Sequence, residues 1–278
     1  MKRILTIQDV SCVGRCSLTV ALPIISAAGV ETAILPTAVL STHTAFPKFT
    51  FRDLTDEIMP ITDTFVELKL GFDAIYTGYL GSFRQLELVS QLFDKLENPT
   101  QLRIIDPVMA DNGKLYPGFT PEFAKEMAKL CAKADLIVPN LTEAAFLLGE
   151  DYIAEPTEDE IRQILKKLTG LGAKRAALTG ISLAADRIGF YLYDSTTDEY
   201  SCYFNKKLPQ SYHGTGDIFA STTTAGLARG LNFTESLKLA TDFTLAAMEK
   251  TAADPDRRFY GVNFEQALGM LTDRLNRF

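Results

Sequence analysis

A chain of 278 residues, 46% of them hydrophobic, holds enough apolar material for one large core or two small ones. Its net charge of -7 and pI near 5.0 argue against broad binding to nucleic acid or anionic membranes, and leave room for a local cationic phosphate site. No window approaches 18 uninterrupted apolar residues, and residues 1–7 begin basic but lack the apolar stretch and cleavage site of a signal peptide, so a cytoplasmic protein with no membrane partner is expected.

Short apolar runs alternate with helix-length segments along the whole chain, the pattern of a parallel sheet covered on both faces. Residues 4–7 read as the first strand. Residues 17–28 read as a helix stopped by Gly29, with Pro23 near its start or kinking it. A strand over 32–35 leads into a polar, aromatic loop over 38–50. Residues 52–70 read as a helix broken at Pro60. A strand over 74–77 runs into Gly78-Tyr79-Leu80-Gly81-Ser82, where Ser82 caps a helix to about 97. Strands over 102–105 and 136–138 flank a helix over 121–132. Helices over 142–148 and 157–171 precede a strand over 173–179. Residues 187–193 and 199–204 form an antiparallel hairpin around 194–198. After Asp217 the chain is helical, with breaks near Gly230 and over 252–262. No repeat or linker divides it, so residues 1–278 are expected to form one three-layer α/β/α domain, its sheet parallel except toward one edge.

The chemistry-bearing residues fall at the carboxyl ends of the predicted strands: Gln8, Asp9 and Ser11; Thr77 and Tyr79; Asp106; Asn140; Thr179. Ligands of open α/β sheets bind in that crevice. Gly214-Thr215-Gly216-Asp217 opens a helix; if the helix starts at Asp217, the preceding amides and the helix dipole form an anion hole. Asp217 then reads either as a plain N-cap or as a base aimed at an alcohol. The positive helix end is expected to lower its pKa. Asp106-Pro107-Val108-Met109-Ala110-Asp111 places two carboxylates about an apolar turn, suited to Mg²⁺ held through water and phosphates, or simply starting a turn. Asn140 and Glu143 are spaced as a capping box. Ser41-Thr42-His43-Thr44-Ala45-Phe46 offers hydroxyls, an imidazole and a ring, suited to a flat heteroaromatic ligand or to a surface loop. Cys12, Cys16, Cys131 and Cys202 have no metal-ligand spacing and read as free thiols. No P-loop is present, and no Gly-x-Gly-x-x-Gly follows the first strand.

Taken in order, these stretches resemble the pyridoxal kinases of the ribokinase superfamily over nearly the whole chain. The resemblance rests on Gln8-Asp9-Val10-Ser11, Ser41-Thr42-His43-Thr44, Thr77-Gly78-Tyr79-Leu80-Gly81-Ser82, Asp106-Pro107-Val108-Met109, Pro139-Asn140-Leu141-Thr142-Glu143 and Gly214-Thr215-Gly216-Asp217. It implies a ribokinase-like sandwich and ATP-dependent phosphorylation of the 5′-hydroxymethyl group of pyridoxal, pyridoxine or pyridoxamine. It further implies Asp217 as base and Gly214, Thr215 and Gly216 as anion hole. Ser11, His43, Thr44 and Tyr79 would surround the vitamin, and Asp106, Asp111, Asn140, Glu143 and Thr179 the nucleotide. Mg²⁺ would sit near Asp106 and Glu143 through water, often with a monovalent cation such as K⁺, in a homodimer. Ala110 stands where the family often has Gly, and 111–116 is a short version of a loop that is longer in some relatives. A hydroxymethylpyrimidine kinase of the same superfamily and a silent vitamin-binding regulator are the competing readings.

Overall fold

The computed structural model describes residues 1–277. In chain order the elements are β1 (Arg3–Val13), α1 (Leu18–Ala27), β2 (Glu31–Thr42), β3 (Phe51–Asp53), α2 (Ile58–Glu67), β4 (Ala74–Thr77), α3 (Phe83–Lys95) and β5 (Leu102–Ile105). They continue with β6 (Ala110–Asp111), β7 (Lys114–Leu115), α4 (Pro121–Cys131), β8 (Leu136–Ile137), α5 (Leu141–Leu148), α6 (Glu158–Gly170) and β9 (Arg175–Ala184). The chain closes with β10 (Arg187–Asp194), β11 (Glu199–Lys206), α7 (Thr215–Ala228), α8 (Phe233–Ala253) and α9 (Leu268–Leu275).

Nine strands form one sheet in the order β11-β10-β9-β8-β5-β4-β1-β2-β3. Pairing is parallel from β9 through β2. Side chains of successive residues leave the sheet on opposite faces, so each central strand feeds two cores. Leu5, Ile75, Ile105 and Leu178 join the core under α2–α6. Ile4, Tyr76, Ile104 and Ala177 join the core under α1 and α7–α9. Such two-sided burial explains why these strands read as unbroken apolar runs. The chain leaves β1 for β2 on one side and returns to β4 on the other, so the order reverses beside β1. The carboxyl ends of β1 and β4 therefore meet at a topological switch point, the usual ligand crevice of such sheets.

The structure corrects four expectations. The sheet is antiparallel at both edges: the β10–β11 hairpin closes one, and β3 pairs antiparallel with β2 at the other. The expected 38–50 loop is strand as far as Thr42, and the expected 52–70 helix opens as β3 plus a single 3₁₀ turn before α2 begins at Ile58. Polar spacing hid these strands because β3 is fully exposed and edge pairing needs no apolar stripe. Pro23 is not among them: it falls in the interior of α1, the second of its two expected placements. The helix after the glycine turn begins at Thr215, with Gly214 as N-cap, so Asp217 sits within its first turn. Among the described residues no helix is long and apolar enough to cross a membrane.

Candidate active site

Most of the predicted phosphate-side residues converge. Asp106, Asp111, Asn140, Glu143, Thr179 and the Gly214–Asp217 turn line one cavity of about 490 Å³. Each arrives for a local reason. Asp106 follows the last residue of β5, its N–H bonded to the Thr77 carbonyl. Asn140 caps α5: its Oδ1 accepts the Glu143 N–H at 2.9 Å, while Glu143 Oε2 accepts the Asn140 N–H at 2.9 Å. That reciprocal box pins Glu143 inside, where its Oε1 also accepts the Met109 N–H at 3.3 Å. Thr179 bridges to Asn140 at the end of the parallel part of β9. Asp111 ends β6 of a small hairpin whose turn residues, Asn112 and Gly113, both have positive φ, 51° and 75°. Asn-Gly is the expected pair for such a tight turn. The short 111–116 loop is thus a formed hairpin, with Asp111 holding Asn112 through its carboxylate.

The glycine turn builds an anion hole. Gly214 has φ 82°, and a Cβ there would run into the Arg15 carbonyl oxygen. Only glycine meets both demands. The first intrahelical bond of α7 is Ile218 N–H to the Gly214 carbonyl. The amides of Thr215, Gly216 and Asp217 therefore have no partner among the described residues, and no side chain caps the helix. Gly216 has nothing within 4 Å of where a Cβ would stand, so its glycine answers no packing need and keeps the cavity floor open.

Electrostatically this cavity is strained toward negative charge. Burial pushes the Glu143 carboxyl up to about 8, against the lowering effect of its backbone donors. Burial first, then repulsion from Glu143 and Asp217, holds Asp106 well above the usual carboxylate range. Burial raises Asp217 to about 7, with Asp9 adding repulsion and the Ser17 amide pulling the other way. The sequence-based expectation of a lowered Asp217 pKa is thus overturned: desolvation outweighs the helix end. A carboxylate poised near neutrality is the better base. The Asp106 carboxylate has no hydrogen-bond partner among the described residues. Among the described residues no group of three His, Cys, Asp or Glu is arranged to hold a metal alone. The fit is instead to a cation that shares Asp106 and Glu143 with phosphate and water oxygens, since positive charge relieves their mutual repulsion.

Ser11, His43, Thr44 and Tyr79 do not line that cavity. Ser11, His43 and Tyr79 gather around Asp9, which lies beside Asp217. His43 is buried, and both of its nitrogens are used: Nδ1 accepts the Ala45 N–H at 3.1 Å, so Nε2 carries the proton and donates to the Tyr260 carbonyl at 2.9 Å. Burial lowers its pKa. Its ring meets Phe46 edge-on at 5.1 Å and lies 5.8 Å from His213, which lines the cavity. Ser11 is buried and donates to Asp9 Oδ2 at 3.1 Å. Thr44 is exposed, and Tyr79 is half-buried against Phe119. All four cysteines are free.

Sequence reasoning left Asp9, His213 and Tyr116 without a role, and passed over Lys206 and Lys207, which also line the cavity. An adjacent lysine pair ahead of the glycine turn, in an acidic chain, was the available signal for those two.

A family profile described as phosphomethylpyrimidine kinase matches residues 24–262. Among solved structures, a Bacteroides thetaiotaomicron protein provisionally named a phosphomethylpyrimidine kinase, in a crystal form with pyridoxal, is 40% identical. It superposes with a TM-score of 0.92 over 97% of this chain and 95% of that one. The pyridoxal kinase of Lactobacillus plantarum is 30% identical, with a TM-score of 0.91 over 100% and 99%. An ADP complex of Bacillus subtilis pyridoxal kinase is 25% identical, with a TM-score of 0.80 over 94% and 96%.

Proposed function

We propose that this chain, which belongs to the phosphomethylpyrimidine kinase family and shares the ribokinase-like fold of the pyridoxal kinases, is a kinase that transfers the γ-phosphoryl of ATP to the 5′-hydroxymethyl of a vitamin B6 vitamer. The observation that carries this reading is the placement of Asp217. It stands in the first turn of α7, beside three unpaired amides, between the phosphate-side cavity and the aromatic cluster around His43.

In this reading the cavity holds the nucleotide, and Lys206, Lys207 and the amides of Thr215, Gly216 and Asp217 face its phosphates. The loose transition state of phosphoryl transfer carries its charge on the phosphoryl oxygens, so fixed N–H dipoles favour it over the ground state. Asp217 orients the attacking hydroxyl and takes its proton. Asn140 and the capping box hold Glu143 in place, and Thr179 lines the nucleotide wall. Mg²⁺ would be held by Asp106 and Glu143, through water and the phosphates, and would supply neutralisation of phosphate charge. A monovalent cation, a homodimeric state, a cytoplasmic location and a single catalytic domain over 1–278 belong to the same proposal.

The test is ADP release with one alcohol at a time. Pyridoxal, pyridoxine or pyridoxamine should drive turnover. Release with hydroxymethylpyrimidine alone would move the chain to the pyrimidine branch that the family description favours. Tight pyridoxal binding without ADP release would make it a silent vitamin binder.

A further inference from the structure

Residues 14–17, between β1 and α1, touch both sides of Asp217. The Ser17 side chain hydrogen-bonds Asp9 on the vitamin side, and the Ser17 amide faces the Asp217 carboxylate. In reaching both, Ser17 holds φ 50° and ψ -132°, a backbone conformation costly for any residue but glycine. Such strain persists only where the neighbours over-determine it. Thr19 supplies one constraint: its hydroxyl lies 3.1 Å from the Gly14 carbonyl and 2.7 Å from the Cys16 carbonyl.

Arg15 supplies the other. Its backbone is wedged between two distant parts of the chain. The Arg15 carbonyl oxygen stands where a Cβ on Gly214 would go, and the Arg15 Cβ stands where one on Gly261 would go. Gly261 has φ 155°, so only glycine lets the chain pass Arg15 this closely. The guanidinium fastens the second contact. Nε donates to Glu265 Oε1 at 3.1 Å and Nη1 donates to Asn263 Oδ1, while the group lies 6.0 Å from the centre of the Tyr260 ring. Asn263 Nδ2 donates to Asp254 Oδ2 at 2.7 Å, and the Asn263 N–H donates to Thr251 Oγ1 at 2.8 Å. Residues 254–263 are thereby drawn into a strap held on the end of α8. That strap carries part of the aromatic wall: the Tyr260 carbonyl accepts from His43 Nε2 at 2.9 Å, and the Phe46 ring packs on Tyr260 at 5.3 Å and on Phe259 at 4.9 Å.

Arg15 is not among the residues that line the phosphate-side cavity, and its guanidinium is committed to Asn263 and Glu265. What it governs is a separation. The Gly214 turn abuts the Arg15 carbonyl, and the strap is held by the Arg15 side chain. Phosphoryl transfer needs the attacking oxygen and the phosphoryl group in line, so the ring wall and the anion hole must keep a fixed spacing. Resting on the proposed vitamin reading, we propose that Arg15 is a positioning residue for the transfer: it clamps the 254–263 strap to the 14–17 loop and so keeps the vitamin wall in register with Asp217 and the Gly214 turn. It acts through Tyr260, Asn263 and Glu265.

The experiment takes the full-length protein with ATP and pyridoxal and reads kcat, both KM values and the Tm. The parent protein comes first: no ADP release with pyridoxal would defeat the vitamin reading, and this inference with it, before any variant is made. Arg15→Ala should lower kcat by roughly 10–100-fold, the scale of a slight misplacement of reacting groups, with the KM for ATP unchanged. The Arg15 side chain is 22% exposed, so added methylguanidinium can reach the gap; it should recover much of the lost kcat in Arg15→Ala and none in Asp217→Asn. Arg15→Lys should stand between Arg15→Ala and the parent, since an ammonium keeps the charge but not the planar fork. Glu265→Gln covers the case in which Arg15→Ala folds poorly. The Glu265 side chain is 48% exposed, so losing this ion pair costs little stability, and kcat should fall several-fold at an unchanged Tm. A kcat that stays at the parent value in Glu265→Gln, or that falls in Arg15→Ala only in step with the folded fraction and is not rescued by methylguanidinium, would make Arg15 a residue of the fold alone and overturn the proposal. A raised KM for ATP with kcat intact would overturn it too, by placing Arg15 with the nucleotide.

Discussion

The two sides of Asp217 solve opposite problems. On the phosphate side, Asp106, Glu143 and Asp217 are crowded, desolvated and raised above their ordinary range, while three amides of α7 go unpaired. On the vitamin side, His43 is satisfied by the Ala45 amide and the Tyr260 carbonyl, Ser11 donates to Asp9, and aromatic rings pack edge to face. One half is built incomplete and is completed by ions and phosphates. The other is a nearly finished surface that a flat ring can lie on. Unsatisfied charge costs stability and is kept where chemistry needs it; a binding face can be both stable and functional.

The largest expected break comes at the boundary itself. Asp217→Asn keeps shape and hydrogen bonding but removes the basic charge, so kcat should fall by roughly 10²–10⁴. Binding of ATP and pyridoxal should survive. If Asp217 merely capped α7, turnover would stay near normal, since Asn caps about as well as Asp. With the carboxyl raised to about 7, kcat/KM of the parent protein should climb through neutral pH as the base ionises. A flat profile from pH 6 to 8 would refute that.

The glycine turn sharpens the contrast between fold and ligand. Gly214→Ala forces a strained φ and a backbone collision with Arg15, so it should destabilise the chain by about 1–3 kcal/mol, read as a lower Tm. Gly216→Ala meets only open space; it should leave the Tm within a degree or two but raise the KM for ATP. Identical behaviour of the two variants would mean that the cavity floor is not the phosphate site.

The crowded carboxylates make a further, smaller prediction about the ligand-free chain. Their folded pKa values lie above their unfolded ones, so the folded state binds more protons between about pH 4 and 8, and stability falls as pH rises through that window. Lowering the pH from 8 to about 7, which stays above the ordinary imidazole range that His43 resists, should raise Tm by a few degrees. Glu143→Gln should flatten this slope and raise the Mg²⁺ needed for half-maximal rate. A Tm that falls over that interval would contradict the crowding. The smallest effect is expected on the finished side: Thr44→Val, at an exposed hydroxyl, should weaken pyridoxal several-fold, the worth of one neutral hydrogen bond, and leave ATP untouched.

Local sequence determined a good deal. Apolar runs located the central strands, since residues buried on both faces leave no polar gap. Ser82, Thr120 and Thr157 cap their helices through side-chain oxygens, and the Asn140–Glu143 box closed as its spacing required, because capping is settled within four residues. Gly214 was legible for the same reason. What local spacing could not hold was anything set by distance through space. The edge strand β3 carries no apolar stripe, so only pairing with β2 identifies it. The Asp217 carboxyl was expected low from its helix and stands high, because burial in the assembled cavity outweighs a dipole that the sequence can show. Asp9 was visible as one polar residue among several at a strand end. Its burial beside His43, Tyr79 and Asp217 was decided only when elements distant in the chain packed together.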